Sequence, residues 1–117
     1  MIPLTVLNSS ISEPLVGRSV EVEAVVDTGF TGHLTLPSEV VLSLDLLERG
    51  FVEVELADGG YTGLDVYEAR VLWGDQQLPI PVYETEGEPL VGMSLLRGSR
   101  LTIDVVPDGV VVIENLG

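Results

Sequence analysis

The feature that most constrains the fold of this chain is its division into short β-branched stretches, each soon ended by Gly, Pro or Asp. From Val20 to Val26, apolar and acidic residues largely alternate, which is the period of a strand with one face on a core. The triplets Asp58-Gly59-Gly60 and Pro107-Asp108-Gly109 stand between other such stretches and are typical of hairpin turns. The sequence therefore predicts a mainly β fold.

The predicted elements follow from this pattern. Strands are predicted at Ile2–Leu7, Val20–Val26, Leu34–Leu36, Phe51–Ala57, Tyr61–Trp73, Leu78–Tyr83, Leu90–Val91, Leu101–Val106 and Val110–Ile113. A helix is predicted from the N-cap Ser38 to about Glu48, with Gly50 following as its C-cap, because apolar residues recur on one helical face. A second short helix is predicted at Met93–Arg97, and Asn8–Gly17 is predicted as a polar connection.

Length and composition bound the organisation of the chain. The 117 residues are close to the commonest size of one domain, and their composition does not change along the chain, so we predict a single domain over 1–117. No window is apolar for long enough to span a membrane, and the amino terminus lacks the charge and apolar run of a signal peptide. The absence of cysteine excludes disulfides and thiolate catalysis, and it favours a cytoplasmic location.

The charge balance limits the partners of the chain. There are 19 acidic residues and only five basic ones, all arginine, which gives a formal net charge of −14. Nucleic acids and anionic membranes are bound through cationic side chains that replace counterions, so neither is an expected partner. A neutral or basic peptide is the better electrostatic match.

The strongest functional signal is a carboxylate at the exit of an apolar strand, in Val25-Val26-Asp27-Thr28-Gly29. Taken alone, Asp-Thr-Gly favours an ordinary turn. However, a glycine-tipped hairpin and then Leu90-Val91-Gly92 follow it, and in this order the three elements resemble the retropepsin-like aspartic proteases, the single-domain branch related to retroviral proteases. The resemblance spans about Val20 to Ile113. It implies a closed β-barrel-like acid protease fold with one or two short helices and one lobe per chain.

The chemistry of such a protease requires two carboxyl groups. One carboxylate activates a water while the other group, protonated, donates to the amide, and like charges this close cannot both ionise. The chain contains a single Asp-Thr-Gly, so the second carboxylate must be Asp27 of another copy. The resemblance therefore implies a homodimeric aspartic endopeptidase that hydrolyses peptide bonds in a peptide or protein substrate.

The resemblance also implies roles for the residues around Asp27. The hydroxyl of Thr28 would bond across the dimer axis beneath the two carboxyls. Gly29 would let the backbone approach the carboxylates, where a side chain would crowd them. Gly92 would similarly allow the Leu90-Val91 strand to pack under the Asp27 loop.

The substrate cleft is predicted from the same resemblance. Asp58-Gly59-Gly60 matches the flap that closes over the substrate, although a plain surface hairpin is the alternative reading. By position, Phe30 and Leu90 would line the cleft, and the bulk of Phe30 suggests a narrow one. Retroviral members carry Arg and then Asp or Asn after the second glycine, whereas this chain has Met93 and Ser94, so the polar network that ties this helix to the dimer is expected to be missing.

Two other functions remain open from the sequence. The first is a homodimeric peptide-binding module that keeps the fold without a productive pair of carboxyls. The second is an acidic structural β-domain that stays monomeric. No metal site and no cofactor are predicted, because His33 is the only histidine and Glu84–Glu88 lacks the residue spacing of a calcium loop.

Overall fold

A computed structural model describes residues 1–8, 19–55 and 58–117, and over these ranges the chain is mainly β with two short helices. The strands are β1 (Ile2–Asn8), β2 (Ser19–Val26), β3 (Leu34–Leu36), β4 (Leu47–Glu55), β5 (Tyr61–Trp73), β6 (Gln76–Glu84), β7 (Leu90–Val91), β8 (Ser99–Ile103) and β9 (Val111–Asn115). The helices are α1 (Ser38–Leu44) and α2 (Met93–Leu96). The predicted fold class is confirmed.

Six strands form a closed barrel in the order β1-β2-β7-β3-β6-β5, and β5 closes the ring by pairing with β1. The period-2 pattern of β2 explains how the barrel acquires its core, because Val22 and Ala24 are buried while Glu21 and Glu23 face solvent. Alternate residues of β1 and β6 are buried in the same way, whereas all three residues of β3 are buried. The largest fully buried side chains are Val6, Leu34, Leu36, Leu44, Val71, Val82 and Val91.

A two-stranded arm extends from the barrel. Among the described residues, strand β4 pairs only with β5, and the partners Phe51–Glu55 and Tyr61–Asp65 lie beyond the first β5–β6 pair, Val66 with Tyr83. We call these two segments, together with the turn 58–60, the arm. Leu56 and Ala57, the last two residues of the predicted strand Phe51–Ala57, lie outside the described residues.

The last two strands form a hairpin apart from the barrel sheet. Within the described ranges β8 and β9 pair only with each other, from Ser99 opposite Asn115 to Ile103 opposite Val111. We call Ser99–Asn115 the terminal hairpin. Within the described part of the chain, no helix has the length and apolar character needed to cross a membrane.

The structure corrects the prediction for the first helix. The helix ends at Leu44 and not near Glu48, because Asp45 adopts the left-handed conformation (φ 49°, ψ 51°), which Asp tolerates better than most residues. Its N-cap is Pro37 and not Ser38. Gly50 is not a C-cap but lies in β4, where the pairing with β5 shifts register.

Two predicted strand ends are also wrong. Strand β4 begins at Leu47, within the predicted helix, because the residues after Asp45 pair with β5. Strand β8 ends at Ile103 and not at Val106, since the connection to β9 is a wider loop in which the Asp104 N–H donates to the Val110 carbonyl. Most of the predicted connection Asn8–Gly17 lies outside the described residues.

Candidate active site

Strand β7 holds the end of β2 in place. It runs parallel to β2, with Val26 opposite Val91, and antiparallel to β3, so it lies between two strands that the Asp27 loop connects. The Asp27 N–H donates to the Val91 carbonyl at 2.9 Å, which extends the β2–β7 pairing to the first loop residue. Residues more than sixty positions apart therefore meet at one point, as the paired motifs suggest.

The Asp27 carboxylate is fixed by its own turn. The Gly29 N–H donates to Asp27 Oδ1 at 2.9 Å, and the Phe30 N–H donates to the Asp27 carbonyl at 3.1 Å. Among the described residues, no donor reaches Oδ2. Asp27 is half-buried, whereas Thr28 and Gly29 are exposed, so the loop presents one restrained carboxylate at the surface.

Gly92 allows the Asp27 loop to pack on the strand beneath it. A Cβ atom at this position would lie 2.3 Å from the Gly32 carbonyl oxygen and 2.7 Å from that of Phe30. Both atoms are backbone, so no side-chain movement can make room. The Gly92 N–H also donates to the His33 carbonyl at 3.0 Å. The geometry thus requires glycine here, whereas at Gly29 an added Cβ would meet only Asp27 Oδ1, at 3.3 Å.

Helix α2 is hydrogen-bonded to the Asp27 loop of its own chain. The Met93 N–H donates to the Phe30 carbonyl at 2.8 Å, and the Ser94 N–H donates to the Gly32 carbonyl at 3.1 Å. The Ser94 hydroxyl donates to the Thr31 carbonyl. The sequence predicts a short helix here and marks Met93 and Ser94 as departures from the family pattern, but it gives no sign that they support the loop.

Thr35 is a second supporting residue that the sequence analysis missed. It is buried in β3, and its hydroxyl oxygen accepts a hydrogen bond of 3.0 Å from the Leu90 N–H. The bond satisfies a backbone donor on β7 that would otherwise lack a partner. The available signal was a single hydroxyl residue between Leu34 and Leu36 in a three-residue apolar strand.

The two predicted cleft residues, Phe30 and Leu90, are half-buried beside the Asp27 loop. The Phe30 ring packs edge-on against Tyr83, with 6.1 Å between ring centroids and 63° between planes. It also lies over Gly32, where an added Cβ would be 2.6 Å from the ring. Phe30 therefore covers its own loop.

The predicted flap residues form the exposed turn of the arm. Asp58 Oδ1 accepts a hydrogen bond of 2.9 Å from the Gly60 N–H, and Gly59 takes a positive φ of 87°. Within the described ranges, no hydrogen bond joins this turn to the Asp27 loop. The base of the arm is closer to it, because Val66 pairs with Tyr83, the residue that packs on Phe30.

No protein-family model, curated protein or solved structure matches this chain. A function must therefore be argued from the site itself. In the described part of the chain, no three His, Asp or Glu side chains gather closely enough to hold a metal ion. What the geometry offers is one carboxylate per chain, held at an exposed loop with one oxygen free.

Proposed function

We propose that this chain is a homodimeric aspartic endopeptidase in which Asp27 from each of two copies forms the water-activating pair. The observation that carries the proposal is the Asp27 loop, in which Gly29 fixes the carboxylate and Gly92 fixes the backbone. The resemblance to the retropepsin-like proteases supports it, because the same residues carry the ordered motifs. Since the chain lacks cysteine, we also propose the cytoplasm as its compartment.

The proposed reaction uses both carboxyls. The ionised one takes a proton from a water, whose oxygen bonds to the carbonyl carbon of the substrate. The protonated one gives its proton to the carbonyl oxygen, which forms a neutral tetrahedral diol. The C–N bond then breaks while the first carboxyl gives its proton to the amide nitrogen and the second takes a proton from a diol hydroxyl, so a carboxylic acid and an amine leave and the pair is restored. Asp27 Oδ2 is the oxygen available for the water, since Oδ1 already accepts from Gly29.

The exposed apolar residues of the terminal hairpin support a dimer that forms near Asp27. Ile2 pairs with Ala24, so Met1 lies beside the end of β2 that leads into Asp27. Met1 in turn lines a shallow pocket with the hairpin loop 103–109. The exposed apolar side chains of this region are Met1, Ile103, Val105, Val106, Val110 and Val112. We propose that a second copy covers them, because a site with one carboxylate is incomplete alone.

This interface predicts a specific sensitivity to charge. Val105→Asp is expected to weaken dimerisation at least about tenfold and to lower activity with it, because an ionised carboxylate would be buried unpaired between the copies. Val105 is 91% exposed, so the folded monomer should tolerate the change. The matched control is Leu42→Asp on α1, since Leu42 is likewise strongly exposed, at 76%, and lies outside the hairpin. Sedimentation of both variants at micromolar concentration measures the effect, and equal dimerisation of the two would contradict this interface.

The arm is proposed as the flap that covers the bound peptide. Phe51 and Tyr61 are exposed on it. The Phe51 ring lies over Gly63, in the space that a side chain at this position would occupy. These aromatic groups offer apolar contact to a substrate, and the arm's backbone offers strand-like hydrogen bonds to an extended peptide. Asp58, Gly59 and Gly60 would lie at its closing end.

The proposal is tested with a mixed peptide library, incubated with concentrated protein between pH 4 and pH 7. Cleavage is expected to increase on mild acidification, because two adjacent copies carry a formal charge of −28, twice −14, and this field favours the shared proton. Peptides without acidic residues are expected to be cut several-fold faster at low salt. Equal cleavage of acid-rich and base-rich peptides would contradict the charge argument, and an uncut library would contradict the protease.

The alternative functions give different results in the same samples. A working pair of carboxyls should bind a hydroxyl-bearing mimic of the tetrahedral diol at least about a hundredfold more tightly than the matching plain peptide. A peptide-binding module would bind both equally. A structural domain would bind neither and would sediment as a monomer.

A further inference from the structure

A groove on the flank of the barrel is separate from the Asp27 site. Its volume is about 640 Å³, within the range typical of small-molecule sites. It lies between the β5–β6 turn, α2 and the end of the terminal hairpin. We call it the Trp73 groove. The basic and large apolar side chains that line it include His33, Trp73, Leu78, Ile80, Leu95 and Arg97. Neither Asp27 nor the arm contributes to it.

The side chains that line this groove differ in charge from the rest of the chain. Although the chain has 19 acidic residues, none of the described residues that line the groove has an acidic side chain. The only histidine and one of five arginines both line it. Arg97 is exposed and makes no ion pair with any described residue. Arg97 is therefore the one permanently charged side chain among the described residues that line the groove, which Gly117 also lines.

The two basic side chains of the groove, His33 and Arg97, interact electrostatically. Burial, and secondly the nearby Arg97 guanidinium, lower the pKa of His33 below its usual value. At neutral pH the groove thus offers the permanent charge of Arg97 beside the N–H donor of a neutral imidazole. This pair can bind one anionic group with a charge-assisted hydrogen bond and a neutral one.

The remainder of the groove combines polar and apolar side chains, and the polar ones are Gln76, Ser94, Ser99 and Asn115. Among the apolar ones, Ile80 and Leu95 are buried, while Trp73 and Leu78 are half-buried. An indole ring beside aliphatic side chains is suited to a flat apolar group. Arg97, His33 and these apolar side chains belong to the same concave site.

We propose that the Trp73 groove binds a small organic anion in which a carboxylate or phosphate head is joined to a flat apolar body. The head contacts Arg97 and His33, and the body packs on Trp73 and Leu78. Binding does not depend on a dimer or on peptide hydrolysis, so this proposal stands or falls separately from the proposed function. His33 ends the loop that carries Asp27, so an occupied groove contacts that loop.

Trp73 makes the test direct, because it is the only tryptophan of the chain and it lines the groove. It also lines a smaller pocket beside Ile2 and Ile113, which Arg97 does not line, so the Arg97 variant below assigns the signal to the groove. Phenylacetate and phenyl phosphate, titrated into the wild-type protein, are expected to change this fluorescence saturably, with calorimetry as a second readout. The neutral phenylacetamide and inorganic phosphate should each bind at least about tenfold more weakly than the complete anions. If phenylacetamide binds as well as phenylacetate, or neither readout saturates, the proposal is wrong.

Two arginine variants distinguish a built site from general charge attraction. Arg97→Gln is expected to weaken binding of phenyl phosphate at least about tenfold, since it removes the charged donor. Arg100→Gln removes the same charge three residues away on β8, outside the groove lining, and should leave binding within twofold of wild type. An equal loss in both variants, or no loss in Arg97→Gln, would overturn the assignment.

Discussion

Asp27→Asn is expected to lower the rate of peptide cleavage at least about a hundredfold, because the neutral amide can neither take a proton from water nor give one to the substrate. The fold and the dimer should survive. Asn has nearly the same shape and keeps an Oδ1 atom, so the 2.9 Å hydrogen bond from the Gly29 N–H can remain. The measurement is the initial rate of cleavage of one library-derived peptide at its optimal pH.

Mixing the two proteins tests whether the carboxyls are shared. If one productive site needs Asp27 from both copies, equal amounts of wild type and Asp27→Asn yield about a quarter wild-type dimers after exchange. Activity should then be about a quarter of that of the same total amount of wild type. Sites that work within single chains would keep about half, and this result would contradict the shared pair.

The matched control for charge is Asp75→Asn in the exposed turn between β5 and β6. It removes one negative charge at a position distant in sequence from Asp27. The cleavage rate of this variant should stay within about twofold of wild type. A similar loss in both variants would mean that the net charge, and not the carboxylate at Asp27, governs activity.

The barrel could be predicted from the sequence because local patterns encode it. The alternation in β2 fixes which residues face the core, and Val22 and Ala24 are buried as that pattern requires. Turn residues mark the hairpin ends for the same local reason, since Gly59 adopts the positive φ that other residues avoid. Such features depend on neighbours within a few positions.

The supports of the site could not be predicted, because they join distant residues. The hydroxyl of Thr35 meets the Leu90 N–H across 55 positions, and that of Ser94 meets the Thr31 carbonyl across 63. No local period marks either partner. The end of α1 was missed for a related reason: Leu47 suits the helical face, but its pairing with Glu68 of β5 determines its conformation.

Gly92 stands in a motif that the sequence shows, and it also makes a contact with a distant part of the chain. Among the substitutions proposed for this protein, its replacement should lower the stability of the fold most. Gly92→Ala is expected to lower the free energy of unfolding by at least about 3 kcal/mol, because the new Cβ would lie 2.3 Å from the Gly32 carbonyl oxygen. The loop must then move away from β7, and this weakens the hydrogen bond from the Gly92 N–H to His33. Urea unfolding measures the loss.

Gly32→Ala separates backbone conflict from side-chain conflict. Its Cβ would approach the Phe30 ring at 2.6 Å, but this ring can turn away, so the cost should be about half that of Gly92→Ala or less. Both variants crowd the same loop, and only Gly92→Ala meets backbone that carries Asp27. Activity at a temperature where both remain folded should therefore fall much further in Gly92→Ala. If the two variants unfold at the same urea concentration and cleave equally fast, the Asp27 loop is not held by its packing on Gly92.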